Sequence, residues 1–173
     1  PDPVLLRALD VLASHGVVGE HPAVSIAKFS QARSALIEGA AVIFDRCAPP
    51  EPVIAGSMLR FGADGAKIER PLVSDWDRTG PLLEGVDLTH LAVQRASLQR
   101  GDVLIDSTAG PIAVHSRRAG LAQVTFGFSL DLKESDFALR AAFPIFLRNW
   151  IEWSRREATR AFPAQARFGA VVL

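Results

Sequence analysis

Cys47, the one cysteine of this 173-residue chain, is the first residue whose type suggests catalytic chemistry. It follows an apolar stretch that ends in Asp45, and cysteine hydrolases place their nucleophilic thiolate at such a strand end. However, Ala48, Pro49 and Pro50 come next, and proline has no backbone N–H to donate to an oxyanion. The sequence therefore favours a partly buried, non-catalytic thiol at this position.

The usual partners of a nucleophile are also missing from the sequence. The four histidines are His15, His21, His90 and His115, and no His-x-Glu pair occurs late in the chain. There is no G-x-S-x-G elbow, and neither a G-x-x-x-x-G-K-[ST] nor a G-x-G-x-x-G phosphate loop. These patterns predict that the chain is not an enzyme, with a Cys47-dependent hydrolase as the weakest alternative.

A cluster of oxygen-bearing side chains lies between residues 129 and 136: Ser129, Asp131, Glu134, Ser135 and Asp136. Such oxygens are the ligands that Mg²⁺ and Ca²⁺ prefer. The same residues are typical of a helix start, where Ser135 would cap backbone N–H groups and Asp136 would face the positive helix end. The sequence favours the helix-start interpretation and predicts neither a metal site nor a cofactor.

Asp45 ends the most apolar stretch, and ligands of open α/β sheets commonly bind where strands end. An Asp at such a position also closes turns. Both interpretations stay open for Asp45. The candidate binding residues are therefore Asp45, Cys47, Asp131, Ser135 and Asp136.

The elements that position these residues follow from the apolar pattern. Residues 40–45 are uniformly apolar before the final Asp, which predicts a strand buried on both faces in a parallel sheet. Asp2 as N-cap, Pro3 at the first position and Gly16 as the stop predict an N-terminal helix. A second long helix is predicted over residues 144–159, with one broad apolar face.

The remaining segments complete the predicted fold. Residues 24–29 read as a strand, 30–38 as a helix and 62–80 as a loop. Residues 111–115 and 123–128 are typical of the two arms of a β-hairpin. The order of elements predicts an α/β three-layer sandwich with a mostly parallel sheet and an antiparallel C-terminal hairpin. Residues 1–160 would form this domain, and residues 161–173 a tail or the truncated start of a following element.

Three stretches together resemble a known family: AVIFDRCAPPEP at 41–52, GPLLEGVDLTHLAV at 80–93, and GFSLDLKESDFALRAAFPIFLRNWIEW at 127–153. This order is similar to the C-terminal soluble region of bacterial membrane proteins that carry BatA-like aerotolerance anchors and a von Willebrand factor A domain. That region is class I glutamine-amidotransferase-like. The resemblance implies a flavodoxin/amidotransferase-like sandwich that belongs to a membrane-anchored parent protein.

Composition limits the possible partners. The chain has 19 Lys and Arg against 19 Asp and Glu, so no net field favours nucleic acid. No apolar run reaches the ~18 residues that span a bilayer. The opening Pro-Asp-Pro lacks an initiator Met, which predicts an excised piece whose membrane contact would come only through segments outside it.

The resulting functional hypothesis is a non-catalytic interaction or scaffold domain of a bacterial inner-membrane protein, with the side of the membrane left open. It would bind other domains of its parent chain or a protein partner. The alternative is a small-ligand-binding module at the carboxyl ends of the strands.

Overall fold

The computed structural model describes residues 2–18, 23, 41–48, 56–118, 121–161 and 170–172. These residues contain helices α1 (Pro3–Ser14) and α2 (Ala142–Ala161) and a short 3-10 helix (Phe137–Leu139). The strands are β1 (Ala41–Asp45), β2 (Ser57–Phe61), β3 (Lys67–Glu69), β4 (Val73–Trp76), β5 (Arg95–Ser97), β6 (Asp102–Ser107), β7 (Gly110–Arg118), β8 (Leu121–Phe126) and β9 (Ala170–Val172). The predicted strand at 24–29 and helix at 30–38 lie outside the described residues.

Seven strands form one mixed sheet in the order β4-β6-β7-β8-β2-β1-β9. The pairings from β8 through β2 and β1 to β9 are parallel, and those from β4 through β6 and β7 to β8 are antiparallel. Strands β3 and β5 pair antiparallel in a second, two-stranded sheet. The predicted α/β class with a mixed sheet is confirmed.

The predicted loop over residues 62–80 is wrong in part, because it contains β3 and β4. Both strands are short and mostly exposed, and β4 lies at one edge of the large sheet. Short, polar edge strands are common in natural sheets because they discourage pairing between molecules. They carry little of the apolar alternation by which strands are predicted.

Strand β1 is buried along its whole length, as predicted for the apolar stretch. It lies between β2 and β9, and its alternate side chains face opposite sides of the sheet. Ala41 and Ile43 belong to the main core cluster, whereas Val42 and Phe44 are buried outside it. Ala170–Val172, placed in a tail or following element by the sequence analysis, pairs with β1 as strand β9.

Helix α1 begins and ends where its capping residues predict. The Asp2 carboxylate accepts the N–H of Val4 at 2.8 Å, and Pro3 occupies the first helical position. Leu5 and Leu9 are fully buried on its inner face. After the helix ends, Gly16 has a φ of +70°, a conformation that residues with a Cβ avoid.

Helix α2 closes the main core through a cluster of aromatic rings. It begins at Ala142, two residues before the predicted start, because Pro144 is tolerated in a first helical turn. The ring of Phe126 lies 5.0 Å from that of Phe61 and 5.1 Å from that of Phe146, measured between centroids. This packing fixes the start of α2 beside the carboxyl ends of β2 and β8. No described helix has the length and apolar character needed to cross a membrane.

Candidate functional site

The carboxyl ends of β1 and β2 meet the segment that follows β8. The Arg46 N–H donates to the carbonyl of Phe61 at 3.0 Å, and the Gly62 N–H donates to the carbonyl of Phe128 at 2.9 Å. Arg46 and Gly62 both have positive φ, so the strands end in tight turns. The polar side chains gathered there are called the strand-end network: Asp45, Arg46, Lys67, Ser129, Asp131, Glu134 and Ser135.

Asp45 is the most deeply buried carboxylate of this network, with a side chain that is 0% exposed. Its Oδ2 accepts the N–H of Asp2 at 2.6 Å, and its Oδ1 lies 3.5 Å from Nε of Arg46. Oδ1 has no hydrogen-bond donor within the described part of the chain. Burial raises the pKa of the Asp45 carboxyl, and the Arg46 guanidinium and Asp2 amide only partly oppose this effect. Asp45 therefore joins the end of β1 to the start of α1.

Cys47 lies two residues after Asp45 and is half-buried. Burial raises the pKa of the Cys47 thiol, and the negative charge of Asp45 raises it further. A raised pKa keeps the thiol protonated, whereas a nucleophile needs the thiolate. Among the histidines at described positions, the ring of His15 bonds the carbonyl of Val11, His115 faces Asp102, and His90 is exposed. His21 lies outside the described residues.

Arg46 brings two predicted site residues together. Its guanidinium lies beside Asp45, and its Nη1 donates to Oδ2 of Asp131 at 3.4 Å. The other oxygen of Asp131 accepts the N–H of Lys133 at 2.9 Å. The sequence analysis did not identify Arg46, although an arginine directly after a strand-end Asp is a usable signal for such a bridge.

Lys67 and Glu134 form a second ion pair in the network, which the sequence analysis also missed. Lys67 Nζ lies 3.3 Å from Oε2 of Glu134 and donates to the carbonyl of Gly127 at 2.9 Å. The same Oε2 accepts the N–H of Ser129 at 2.8 Å. Burial alone would raise the pKa of Glu134, but the Ser129 amide and the Lys67 charge lower it below its usual value.

The helix-start interpretation is right for the position of Asp136, which precedes a 3-10 helix, but wrong for the capping role of Ser135. The Ser135 hydroxyl is buried and donates to the carbonyl of Ser129 at 2.8 Å. Asp136 occupies the N-cap position of the 3-10 helix, but its side chain makes no capping hydrogen bond. Its carboxylate instead accepts hydrogen bonds from the N–H of Ala92 at 3.0 Å and from Nε of Arg140 at 2.9 Å. Burial would raise the pKa of Asp136, and the bonds from Arg140 and Ala92 lower it below the usual value.

Hydrogen bonds within the protein therefore engage most of the polar side chains that the sequence analysis singled out. Asp131 and Asp136 accept bonds from backbone groups or an arginine, and Ser135 donates to a backbone carbonyl. Among the buried carboxylate oxygens of the network, Oδ1 of Asp45 has no hydrogen-bond donor in the described part of the chain. Over the described ranges, no three His, Cys, Asp or Glu side chains come together in a way that suits a metal ion.

A different kind of surface lies between α1 and the start of α2. It is a groove of about 360 Å³, called here the α1–α2 groove. Val11 of α1 is 52% exposed and Leu139 of the 3-10 helix is 66% exposed, although both are large and apolar. The groove is lined mainly by apolar side chains, with one arginine from each side: Val4, Arg7, Ala8, Val11, Leu12, Ala138, Leu139, Arg140, Ala141, Phe143 and Pro144.

No protein-family model, curated protein or solved structure matches this chain. The fold and the site define an α/β domain with a mixed sheet, a paired polar network at the strand ends and an open apolar groove beside the first helix.

Proposed function

We propose that this chain is a non-catalytic interaction or scaffold domain that binds a protein segment in the α1–α2 groove. The segment would belong to another part of the parent chain or to a partner subunit. The observation that carries the proposal is the exposure of Val11 and Leu139 beside the same apolar groove. Adjoining exposed apolar side chains are typical of interaction sites, because leaving them in water is unfavourable.

The strand ends support the non-catalytic part of the proposal. Burial and the charge of Asp45 raise the pKa of the Cys47 thiol, which disfavours the nucleophilic thiolate. Glu134 and Asp131, two other carboxylates of the strand-end network, form ion pairs with Lys67 and Arg46, respectively. A general base needs a free oxygen or nitrogen within reach of a substrate proton, and these ion pairs compete with that role.

The proposal also includes a particular type of α/β fold and a particular cellular context. Burial of β1 on both faces and the parallel half of the sheet support a flavodoxin/amidotransferase-like three-layer sandwich. The resemblance of residues 127–153 supports a bacterial inner-membrane parent with BatA-like anchors and a von Willebrand factor A domain.

An activity assay tests the non-catalytic part. Hydrolysis of glutamine and of p-nitrophenyl acetate is measured with the wild-type protein and with Cys47→Ala. We expect no turnover that depends on Cys47, because its thiol is protonated. Turnover that the substitution abolishes would overturn the proposal.

Site-specific crosslinking tests the interaction part. A photo-crosslinking amino acid replaces Leu139 in the full-length parent protein, produced in its own cells. Leu72, which is 69% exposed and lies between β3 and β4 outside the groove, provides the matched control position. We expect a discrete protein crosslink from position 139 and none from position 72. Equal crosslinking, or no crosslink at either position, would contradict the proposal.

Oδ1 of Asp45, which has no hydrogen-bond donor among the described residues, favours a second candidate function, the binding of a small cationic or N–H-bearing ligand at the strand ends. Thermal unfolding with Mg²⁺, Ca²⁺, ammonium and single amino acids tests it, because a ligand that binds only the folded state raises Tm. We expect any such rise to vanish in Asp45→Asn. A rise that persists in this variant excludes Asp45 as the binding group.

A further inference from the structure

We propose that the segment bound in the α1–α2 groove is an amphipathic helix whose apolar face enters the groove and whose flanking residues are acidic. This inference rests on the proposed function and adds the chemistry of the partner. It is argued from the shape, the size and the charge of the groove.

The shape of the groove suits a helix. On α1 its lining residues Val4, Ala8 and Val11 follow one another at spacings of four and three residues, so they form one row along the helix axis. Seven residues of helix rise about 10 Å. The other side is the 3-10 helix and the first turn of α2, represented by Leu139 and Phe143. A ridge of side chains on a second helix packs into a groove of this kind, as in helix-in-groove recognition.

The size of the groove favours a segment over a second folded copy of the chain. Its volume of about 360 Å³ lies near the lower end of the ~300–1,000 Å³ range of ligand pockets. Such a volume takes a few side chains. A stable interface between folded proteins buries about 800 Å² on each partner, which requires a much wider apolar face than Val11 and Leu139 provide.

The charge of the groove favours acidic residues in the partner. Arg7 is exposed on the α1 side and has no carboxylate partner in the described part of the chain. Arg140, on the other side, already binds Asp136. Arg7 is therefore the guanidinium left to meet a carboxylate of the incoming segment, and a lysine there would be repelled.

The test uses three fluorescein-labelled 15-residue peptides and fluorescence anisotropy. One peptide has Leu at helical spacing and Glu at the flanking positions, a second has Lys in place of every Glu, and a third has Ser in place of every Leu. We expect the Glu peptide to bind at least about tenfold more tightly than the Lys peptide, and the Ser peptide not to bind.

Matched variants locate the binding and identify the charge that selects it. Leu139→Ser should weaken binding of the Glu peptide about tenfold or more, whereas Leu72→Ser should leave it unchanged. Arg7→Glu should reverse the preference in favour of the Lys peptide. Arg100→Glu, which changes an arginine outside the groove, should not. Circular dichroism checks that each variant is folded.

The possible outcomes separate this inference from the proposed function. A crosslink from position 139 combined with equal affinity for the Glu and Lys peptides would overturn the acidic-helix inference and leave the proposed function standing. Absence of both the crosslink and peptide binding would overturn both. Dimerisation of the chain that Leu139→Ser abolishes, without peptide binding, would assign the groove to a second copy and overturn the inference.

Discussion

The strand-end network consists of polar residues that are paired with each other, whereas the α1–α2 groove consists mainly of apolar residues that are partly exposed to water. In the network, charged groups such as Arg46 and Glu134 find partners within the same chain. In the groove, large apolar groups such as Leu139 are left in contact with water. The comparison teaches that the chemically distinctive side chains of the network are engaged within the fold, whereas the exposed groove consists mainly of aliphatic side chains.

Replacing Gly127 should have the largest effect, because it acts on the packing of the network. A Cβ at this position would lie 1.9 Å from the carbonyl oxygen of Ser97, which belongs to the backbone. We expect Gly127→Ala to lower the free energy of unfolding by more than about 3 kcal/mol, measured by urea denaturation.

Gly85→Ala is the control for this prediction. Gly85 has a positive φ of +71°, but an added Cβ there would meet nothing within 4 Å. The control should lose only about 1 kcal/mol, from backbone strain alone. Similar losses in the two variants would show that Gly127 is not tightly packed.

Glu134→Gln should have the next largest effect, because it removes the charge that Lys67 and the Ser129 amide stabilise. We expect a loss of about 1–2 kcal/mol at pH 7, measured by urea denaturation. The folded-state pKa of Glu134 is lowered, so its contribution is present above the unfolded pKa and disappears as pH falls through the folded pKa.

The stabilities of the wild-type protein and the Glu134→Gln variant should therefore converge in acid. Glu69→Gln, which changes an exposed carboxylate of the same strand as Lys67, should cost little at any pH. A loss for Glu134→Gln that persists unchanged in acid would refute the assignment of the effect to charge.

Asp45→Asn should change the free energy of unfolding by less than Glu134→Gln does, and the change should depend on pH in the opposite direction. Because burial raises the folded-state pKa of Asp45, the folded protein binds this proton more tightly than the unfolded chain does. The contribution of Asp45 to stability therefore falls as pH rises from the unfolded pKa through the folded pKa. Over that window, measured by urea denaturation, the variant should gain stability relative to wild type.

At neutral pH we expect Asp45→Asn to be within about 1 kcal/mol of wild type or more stable, because an amide in this place needs no charge partner. Asp102→Asn, at an exposed position, should show no such pH-dependent gain. A loss of several kcal/mol at neutral pH would mean that the pair with Arg46 outweighs the burial of the carboxylate.

Leu139→Ser should have the smallest effect on stability, less than about 0.5 kcal/mol, because the side chain is already 66% exposed. Leu72→Ser should cost equally little. The two variants should differ only in peptide binding, so thermal denaturation together with anisotropy separates a surface role from a folding role. A large loss of stability in Leu139→Ser alone would make the groove part of the core.

The elements predicted with success have strong local signals. The apolar run of β1, the capping of α1 by Asp2 and the broad apolar face of α2 each follow from a few adjacent residues. The missed strands β3, β4 and β9 have at most four residues each. Their pairing partners are distant in sequence, so only the assembled sheet defines them.

The candidate site was predicted as a set of residue types, but not as a set of contacts. Arg46 and Asp131 are 85 residues apart in the chain, and they meet only because β1, β2 and β8 end side by side. The groove gave no signal, because no local pattern distinguishes exposed aliphatic residues such as Val11 and Leu139 from buried ones. Both the contacts of the network and the exposure of the groove depend on which elements lie side by side in the fold, and local sequence patterns do not encode that.

The hydrogen bond from the Asp2 amide to Asp45 connects the strand-end network to the helix that lines the groove. Helix α1 is tethered at its first turn to the end of β1, and its Val11 forms one side of the groove about two turns further on. The Asp45 carboxylate therefore helps to hold the helix that forms one side of the groove. Loss of this bond should loosen the first turn of α1, and faster amide exchange at Asp2 would report it.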